Sequence, residues 1–360
     1  MDMQVISHPL TGTPSFYKGS GYTRCMDISA FDYHLPKESI AQRPAYPKSY
    51  ARMLVVNTGL TDHRFYEIID WFRPGDVLVV NDTRVSQAKL KGRKGSGSPV
   101  ELILMHQQEG TWTCRIKGRN VLTDTELLFP DNLKCMVVDK QEDLFLVRFS
   151  KTLQPSYISN HATLPTPPYI KEPLRSEREY QTTYARHAGS LAAPTAGLHF
   201  TPHLLRRIRN RGVTIVSVCL HVGFGTFNPV RTDDVRDHQM EPEQVYIDNK
   251  TARAINERTG RLFVVGTTTM KALETAADRH GRIHPIDASS DLFIYPGYTF
   301  KMRPYGFITN FHLPKSTLLL LVSAYAGWKR IKEAYEHAVS TGYRFFSLGD
   351  CMLLENMHPQ

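Results

Sequence analysis

The amino-acid sequence predicts an α/β fold, in which a large domain with a mostly parallel sheet is interrupted by a small inserted antiparallel β-barrel. Between residues 77 and 150, short apolar or alternating runs are separated by turn-forming residues with almost no helical period, as in small barrels and sandwiches. From about residue 200, strand-like and helix-like patterns alternate, which is typical of an α/β layer. The expected parts are a mobile lead-in at 1–25, an α/β domain at 26–75 and 156–360, and the barrel at 76–155.

The strands of the insert are predicted from six short runs. These runs are "VLVV", "QAKLKGR", "VELILM", "TWTCRIKG", "LKCMVV" and "LFLVRF", with turns at "GSGSP", "QQEG" and "FPDN". The prolines of "PTPPYI" at 165–170 then exclude a helix and favour extended backbone, so they end this region.

The elements after the insert follow from capping residues and apolar periodicity. Thr201 can cap a helix that has Pro202 in its first turn and ends at Gly212. Further strands are predicted at "VTIVSVCL", "RLFVVG", "LFIYPG", "FITNF" and "YRFFSLG", and further helices at "TARAINERTG", "TTMKALETAADRHG" and "KSTLLLLVSAYAGWKRIKEAYEHAVSTG".

Composition favours an anionic partner and a reducing compartment. The 44 Lys and Arg exceed the 35 Asp and Glu and give a net charge of +9, which favours nucleic acid. The five cysteines form no CxxC pair, which argues against a disulfide framework or a zinc site. No secretion signal is evident, and the apolar run Leu318–Val322 is too short to span a bilayer. We therefore expect a cytoplasmic protein without a membrane partner.

Four loops lie where predicted strands end and helices begin, the usual place for ligands in α/β sheets. Each mixes small residues with hydroxyls or amides, and three contain a histidine. They are "AAPTAGLHF" (192–200), "LHVGFGTF" (220–227), "VGTTTMKALE" (265–274) and "ITNFHLPKST" (308–317). The sequence lacks a P-loop, an HExxH zinc motif and a GxSxG elbow, which argues against ATP hydrolysis, zinc hydrolysis and serine hydrolysis.

A structural explanation stands beside each functional one. The glycines of "GFG" can turn the chain without binding anything, and the threonines of "GTTT" can be helix caps. Each of four histidines can be a ligand or a hydrogen-bonded scaffold residue. The basic helix after Thr201 can be a solvated surface or a contact for a phosphate backbone. The four histidines are His199, His221, His238 and His312.

Long ordered strings across the chain carry a family resemblance. They are "FDYHLPKESIAQRP" (31–44), "DVLVVNDTRV" (76–85), "PPYIK" (167–171), "EREYQTTYA" (177–185), "GSLAAPTAGLHFT" (189–201), "LHVGFGTFNPV" (220–230), "DHQMEPE" (237–243), "VVGTTTMKALETAA" (264–277), "LFIYPGY" (292–298), "ITNFHLPKSTLLLLVSAYAG" (308–327) and "YRFFSLGDCMLL" (343–354). From about residue 26 to the end, the chain resembles the S-adenosylmethionine:tRNA ribosyltransferase-isomerase family of queuosine biosynthesis.

The resemblance implies both a fold and a reaction. The fold is a large α/β domain with an inserted β-barrel. In the reaction, the ribosyl part of S-adenosylmethionine is transferred to 7-aminomethyl-7-deazaguanine in the wobble position of a tRNA and rearranged to epoxyqueuosine, while adenine and methionine leave. S-adenosylmethionine is then a cosubstrate, tRNA is the partner, no metal or bound cofactor is expected, and we expect a monomer.

This chemistry requires positioned acids and bases and a surface for RNA. The candidate catalytic residues are His199, His221 and His312, with Glu243 and Glu274 as carboxylate partners. Small and hydroxyl residues that would let a substrate approach the backbone are Ala193, Thr195, Ala196, Gly197, Gly223, Gly225, Thr226, Thr267 and Thr268. Tyr169, Tyr180 and Tyr184 would stack on a base, Asn310 would read a base edge, and Arg84, Arg206, Arg209, Lys271 and Lys315 would contact anionic groups.

Two places depart from the family pattern. Glu241-Pro242 stands where His-Ser is usual, so a candidate proton carrier is absent there. Lys271 stands where Arg is usual, which keeps the charge but loses the bidentate fork. Two other functions remain open beside the tRNA-modifying enzyme, namely a non-catalytic RNA-binding protein and an enzyme that uses S-adenosylmethionine on a small molecule.

Overall fold

A computed structural model of the chain describes residues 25–223 and 230–357. The strands are β1 (Arg52–Val56), β2 (Leu60–Arg64), β3 (Val77–Asn81), β4 (Thr83–Val85), β5 (Lys89–Lys94), β6 (Pro99–Gln108), β7 (Thr111–Lys117), β8 (Glu126–Phe129), β9 (Leu133–Gln141), β10 (Leu144–Phe149), β11 (His187–Ser190), β12 (Thr214–Leu220), β13 (Glu243–Ile247), β14 (Leu262–Val265), β15 (Ile286–Ser290), β16 (Gly306–Asn310) and β17 (Cys351–Glu355). The α-helices are α1 (Pro155–His161), α2 (Pro202–Asn210), α3 (Asn249–Asn256), α4 (Thr267–Ala276), α5 (Thr317–Ala326) and α6 (Trp328–Ser340). None of the helices in this described part is long and apolar enough to cross a bilayer.

A nine-stranded sheet forms the centre of the molecule, in the order β15-β13-β12-β3-β14-β16-β17-β1-β2. Strands β12, β3, β14 and β16 are parallel to one another, and β17 is parallel to β1. The other four neighbouring pairs are antiparallel. The sheet is therefore mixed, and the prediction of a mostly parallel sheet is wrong. Strand direction depends on how distant segments pair, which local apolar patterns do not encode.

The predicted antiparallel barrel is confirmed as a closed six-stranded barrel in the order β10-β7-β6-β5-β8-β9. Its core contains alternate residues of these strands, such as Leu90, Leu102 and Val147. The barrel strands run from Lys89 to Phe149, whereas β3 lies in the large sheet and β4 pairs with β11. The first part of the segment expected to form the insert, 76–155, thus belongs to the sheet region.

Helices cover both faces of the large sheet. Leu54, Val77 and Val79 face one core, which packs against α3, α4, α5 and α6. Their neighbours Leu78 and Val80 face the other core, which packs against α2 and a 3₁₀ segment, Phe65–Trp71. This alternation is the period of two that a strand buried on both faces requires.

The local sequence signals correctly located most elements. Thr201 Oγ1 accepts a hydrogen bond from the Leu204 N–H at the start of α2, as its capping pattern predicts. The long predicted helix is instead divided at Gly327, whose φ of 85° ends α5 before α6 begins. The segments 292–297 and 343–349 were predicted as strands but are irregular, and the last strand is β17.

Some predictions lie outside the described residues. They concern the lead-in before residue 25 and the substrate-binding candidates Gly225 and Thr226.

Candidate functional site

An open cleft lies at one edge of the large sheet, where the parallel strands β12, β14 and β16 end. The segment before β17 reaches the same edge because β17 is antiparallel to β16. All four predicted loops contribute to the lining of the cleft, the loop 220–227 through Val222 among its described residues. The lining residues are Tyr169, Ala192, Ala193, Pro194, Thr195, Ala196, Val222, Gly266, Thr267, Thr268, Thr309, Asn310, Phe311, His312, Leu313, Ser316, Leu318, Phe346 and Ser347.

A smaller second pocket adjoins this cleft and shares Thr267, Thr268 and Leu318 with it. Its other walls are mainly apolar, and they include one buried lysine and one buried glutamate. These lining residues are Met240, Glu243, Lys271, Leu292, Phe293, Ile294, Thr317 and Leu321. The two spaces together form a cleft with one polar, aromatic end and one apolar end.

Backbone geometry brings α4 to the junction of the two pockets. Gly266 adopts a φ of 89° and donates its N–H to the Ile308 carbonyl at 2.8 Å, so the chain turns sharply from β14 into α4. Asn81 Nδ2, at the end of β3, donates to Thr268 Oγ1 at 3.2 Å. Asn81 also exchanges hydrogen bonds with the backbone of Leu220, which fixes β12 beside β3 at this edge.

His312 lines the cleft as a buried, neutral imidazole. Its Nε2 lies 2.8 Å from Thr309 Oγ1, and its backbone N–H donates to Tyr335 Oη at 2.8 Å. Burial lowers the pKa of His312 to about 3, because the protonated, charged ring would lie in a buried position without water to solvate it. A base with so low a pKa accepts protons weakly at neutral pH, so the ring is better suited to hydrogen bonding with a substrate.

His199 lies behind the cleft and orients one of its walls. Its Nε2 is 3.0 Å from Asn310 Oδ1, while Asn310 Nδ2 donates to the carbonyls of Phe346 and Ser347. Because those carbonyls only accept, the Asn310 oxygen faces His199, and His199 Nε2 must carry a proton. Burial lowers the pKa of His199 to about 4, so the ring is neutral near pH 7.

Two aromatic rings form one wall of the cleft. The Tyr169 and Phe346 ring centroids are 4.9 Å apart, and Tyr169 Oη lies 2.6 Å from Ser347 Oγ. The two ring planes are tilted by 52°, so the wall offers aromatic ring surface with a polar rim, and one ring at a time can stack against a nucleobase.

A buried ion pair lies in the second pocket. Lys271 Nζ, on α4, is 2.9 Å from Glu243 Oε2, on β13. The other carboxylate oxygen, Glu243 Oε1, accepts the Gly223 N–H at 3.0 Å. Of the positions that depart from the family pattern, Lys271 therefore lines the site. Glu241 instead binds Arg115 of the barrel at 3.1 Å.

Several predicted site residues do not line the cleft. Glu274 is fully buried and accepts hydrogen bonds from Tyr298 Oη and from the backbone N–H groups of Lys301 and Met302. Tyr180 is fully buried in a small apolar cluster, so it has no exposed face on which a base could stack. His221 is half-buried and has its Nδ1 2.7 Å from Thr83 Oγ1, beside β4 and β11.

Gly197 and Tyr184 form a close contact next to the cleft. A Cβ on Gly197 would lie 2.0 Å from Tyr184 Oη, so the glycine lets this ring pack against the turn that carries Thr195 and Ala196. Tyr184 therefore supports the loop, and it is not among the residues that line the cleft.

The predicted cationic contacts are spread over the surface. Lys315 Nζ pairs with Asp32 at 2.7 Å, and Arg84 is exposed on β4. Arg206 and Arg209 are exposed on α2, which starts beside the cleft and ends next to Pro74 and Gly212, at the opposite edge of the sheet. A ligand that reaches both the cleft and Arg209 must extend along α2.

Sequence reasoning missed Phe346 and Ser347, two residues that line the cleft. Phe346 and Ser347 lie in a segment that was predicted as a strand, but Phe346 adopts a φ of 71° and its N–H donates to the Phe311 carbonyl. An aromatic residue in this conformation has no local sequence signature, because the surrounding contacts impose it. The described residues contain no group of three or more His, Cys, Asp or Glu side chains that could hold a metal ion.

Comparison with known proteins gives matches over nearly the whole chain. The family described as "Queuosine biosynthesis protein" matches residues 28–354. An S-adenosylmethionine:tRNA ribosyltransferase-isomerase of Pelotomaculum thermopropionicum is 46% identical over 341 residues, covering 91% of this chain and 100% of that protein. A protein of the same name from Syntrophus aciditrophicus is 42% identical, covering 91% of this chain and 99% of its own. The crystal structure of an S-adenosylmethionine tRNA ribosyltransferase from Thermotoga maritima matches with a TM-score of 0.50 and 33% identity, covering 91% of this chain and 100% of that one.

Proposed function

Because this chain belongs to the S-adenosylmethionine:tRNA ribosyltransferase-isomerase family of queuosine biosynthesis enzymes, we propose that it modifies the wobble base of a tRNA. In the proposed reaction, the ribosyl moiety of S-adenosylmethionine is transferred to 7-aminomethyl-7-deazaguanine in the anticodon. The moiety is isomerised to the epoxycyclopentane of epoxyqueuosine, and adenine and methionine leave. We place the reaction in the cytoplasm, with a monomeric enzyme and without a bound metal or cofactor.

The convergence of the loops into one cleft carries this proposal. A sulfonium is already a good leaving group, so the enzyme must mainly hold two substrates together and move protons. The Tyr169–Phe346 wall would stack on a base that has been turned out of the anticodon loop. Small residues such as Ala193 and Ala196 would let a ligand approach the backbone closely.

The two buried histidines would act as neutral groups. An uncharged His312 does not repel the positive sulfonium, and it can hydrogen-bond to the departing adenine. His199 would act indirectly, by holding Asn310 towards the loop that contains Ser347. Glu274, with three hydrogen bonds to residues 298–302, would organise that segment.

One assay tests the proposal. The protein is incubated with S-adenosylmethionine and a tRNA that carries the deazaguanine precursor, and the digested nucleosides are identified by mass spectrometry. We expect epoxyqueuosine, with adenine release that depends on the modified tRNA. Adenine release with the free base alone would indicate a small-molecule enzyme, and tRNA binding without turnover would indicate an RNA-binding protein. Either result would contradict the proposal.

A further inference from the structure

The second pocket has a chemistry different from that of the main cleft. Its walls are mainly hydrocarbon, from side chains such as Leu292, Ile294 and Leu321, and it carries one ion pair, Lys271–Glu243. It opens into the main cleft at Thr267 and Thr268, at the start of α4. A ligand whose polar, aromatic part fills the main cleft can therefore extend a short apolar arm into this pocket.

The ion pair of this pocket is almost fully buried. The Lys271 and Glu243 side chains are 7% and 5% exposed. A buried pair gains little net stability over apolar residues of the same volume, because both charges lose their water. Among the described residues, the one hydrogen-bond acceptor of Lys271 Nζ is Glu243 Oε2. An ammonium group has three N–H donors, so two remain to bind a ligand.

We propose that this pocket binds the methionine arm of S-adenosylmethionine, with the α-carboxylate on Lys271. This inference rests on the proposed function and names the part of the site that recognises the amino-acid end of the cosubstrate. The apolar walls match the two methylene groups of the arm. Because Glu243 neutralises Lys271, the pocket as a whole does not repel the nearby sulfonium.

The competing explanation is that the pair only clamps α4 to β13. The two explanations differ in what they predict for ligands with and without the carboxylate. A clamp affects every ligand of the cleft equally when it is removed. A carboxylate contact affects only those ligands that carry the carboxylate.

The test therefore compares the affinities of two ligands for the wild-type protein and for several variants. Binding of S-adenosylmethionine and of its decarboxylated form is measured by isothermal titration calorimetry, with and without tRNA. We expect wild-type protein to prefer S-adenosylmethionine by about 10- to 100-fold, the range for a hydrogen bond to a charged group. Lys271→Met should bind both ligands with similar affinity. Lys271→Arg keeps the positive charge and should retain the preference for S-adenosylmethionine. Lys332→Met, on the exposed face of α6, is the matched control and should leave the preference unchanged.

Loss of Lys271 leaves the Glu243 charge buried, so Lys271→Met is also combined with Glu243→Gln to keep the protein folded. The double variant should also lack the preference. An undiminished preference in folded Lys271→Met or in the double variant overturns the inference, as does equal weakening of both ligands. The proposed function is tested separately by turnover of wild-type protein with precursor tRNA. If the wild-type protein turns over precursor tRNA but the binding experiment contradicts the role of Lys271, the proposed function stands and the methionine subsite is rejected.

Discussion

At the scale of single residues, two histidines in and behind the cleft are kept uncharged. His199 and His312 are 5% and 8% exposed, and burial lowers the pKa of each far below the ordinary value of 6.5. Neutral imidazoles let the cleft hold hydrogen bonds without adding positive charge beside a cationic ligand. Keeping both rings neutral lowers the free energy of unfolding at acid pH, because there the unfolded chain binds protons that the folded chain does not bind.

His199→Gln should weaken the dependence of stability on pH. Between pH 6.5 and about 4, the unfolded state protonates His199 and the folded state does not, so the free energy of unfolding decreases as pH falls. Gln cannot be protonated and can still donate to Asn310. Relative to wild type, the variant should therefore gain about 1.4 kcal/mol per pH unit as pH is lowered through this window.

Urea denaturation at several pH values measures this effect. His203→Gln, on the exposed side of α2, is the control, and its curve should run parallel to that of the wild type. A constant difference between His199→Gln and wild type across the window would show that His199 does not stay neutral in the folded protein.

His312→Ala should lower turnover by about 100-fold or more, the usual scale for a positioned acid–base or hydrogen-bonding group. His312→Gln should recover part of that loss, because a neutral hydrogen-bonding side chain replaces a neutral imidazole. Steady-state kinetics with precursor tRNA measures both, with His203→Ala as the control. A Gln variant as slow as the Ala variant would instead favour proton transfer by the imidazole.

At the scale of elements, the turn Thr195–His199 connects the cleft to the helix α2. Thr195 and Ala196 line the cleft, and His199 at the end of the turn hydrogen-bonds to Asn310. On the other side of the turn, Gly197 has no side chain, so the Tyr184 ring packs directly against its backbone. Tyr184 Oη is buried and has no hydrogen-bond partner among the described residues. Close packing, rather than a hydrogen bond of its hydroxyl group, therefore holds Tyr184 against the back of this turn.

Gly197→Ala should destabilise the protein by about 1–3 kcal/mol, the range for overpacking a well-filled site. The new methyl group would collide with Tyr184 Oη. Adding Tyr184→Phe removes the hydroxyl and should recover part of the loss. Thermal denaturation of the two single variants and the double variant measures the coupling between the sites. Gly59→Ala is the control, because a methyl group there meets nothing within 4 Å. If Tyr184→Phe does not reduce the loss of stability caused by Gly197→Ala, the packing described here is contradicted.

Elements with local signals were predictable from sequence, and those without them were not. The cap at Thr201 and the apolar periodicity of the helix that follows determine α2. In contrast, the irregular segment 343–349 is shaped by distant contacts, such as those of Asn310 with the carbonyls of Phe346 and Ser347. The loops that bear His199, Thr267 and His312 were recognised from sequence. Their arrangement at one sheet edge depends on the order of the strands in the folded sheet, which local sequence patterns do not encode.

At the scale of the whole molecule, the chain carries a net charge of +9, and the exposed arginines of α2 lie on a helix that leads from the cleft at one sheet edge towards the other edge. In the proposed function the cleft residues act on one base, whereas a tRNA is much longer than the cleft. Contacts that set tRNA affinity must therefore lie on surfaces away from the reacting groups.

Arg206→Ala combined with Arg209→Ala should weaken tRNA binding and reduce the slope of log affinity against log salt by about 1.4 to 1.8, if each arginine neutralises one phosphate. Fluorescence anisotropy over a series of salt concentrations measures the slope. Lys250→Ala with Arg253→Ala removes the same charge from α3, on the other face of the sheet, and should leave the slope unchanged. Equal slopes in both double variants would show that α2 is an ordinary solvated surface.

The pairing of β17 with β1 also has a consequence for how the protein is made. Met53 and Cys351 lie side by side in the sheet, although nearly the whole chain separates them in synthesis. In the hairpin of β1 and β2, the side of β1 that faces β17 therefore stays unpaired until the C-terminal strand is available. Such long-range closure is slow, and an open strand edge invites association with other nascent chains. Chaperones that shield this hairpin during translation would therefore raise the yield of native protein.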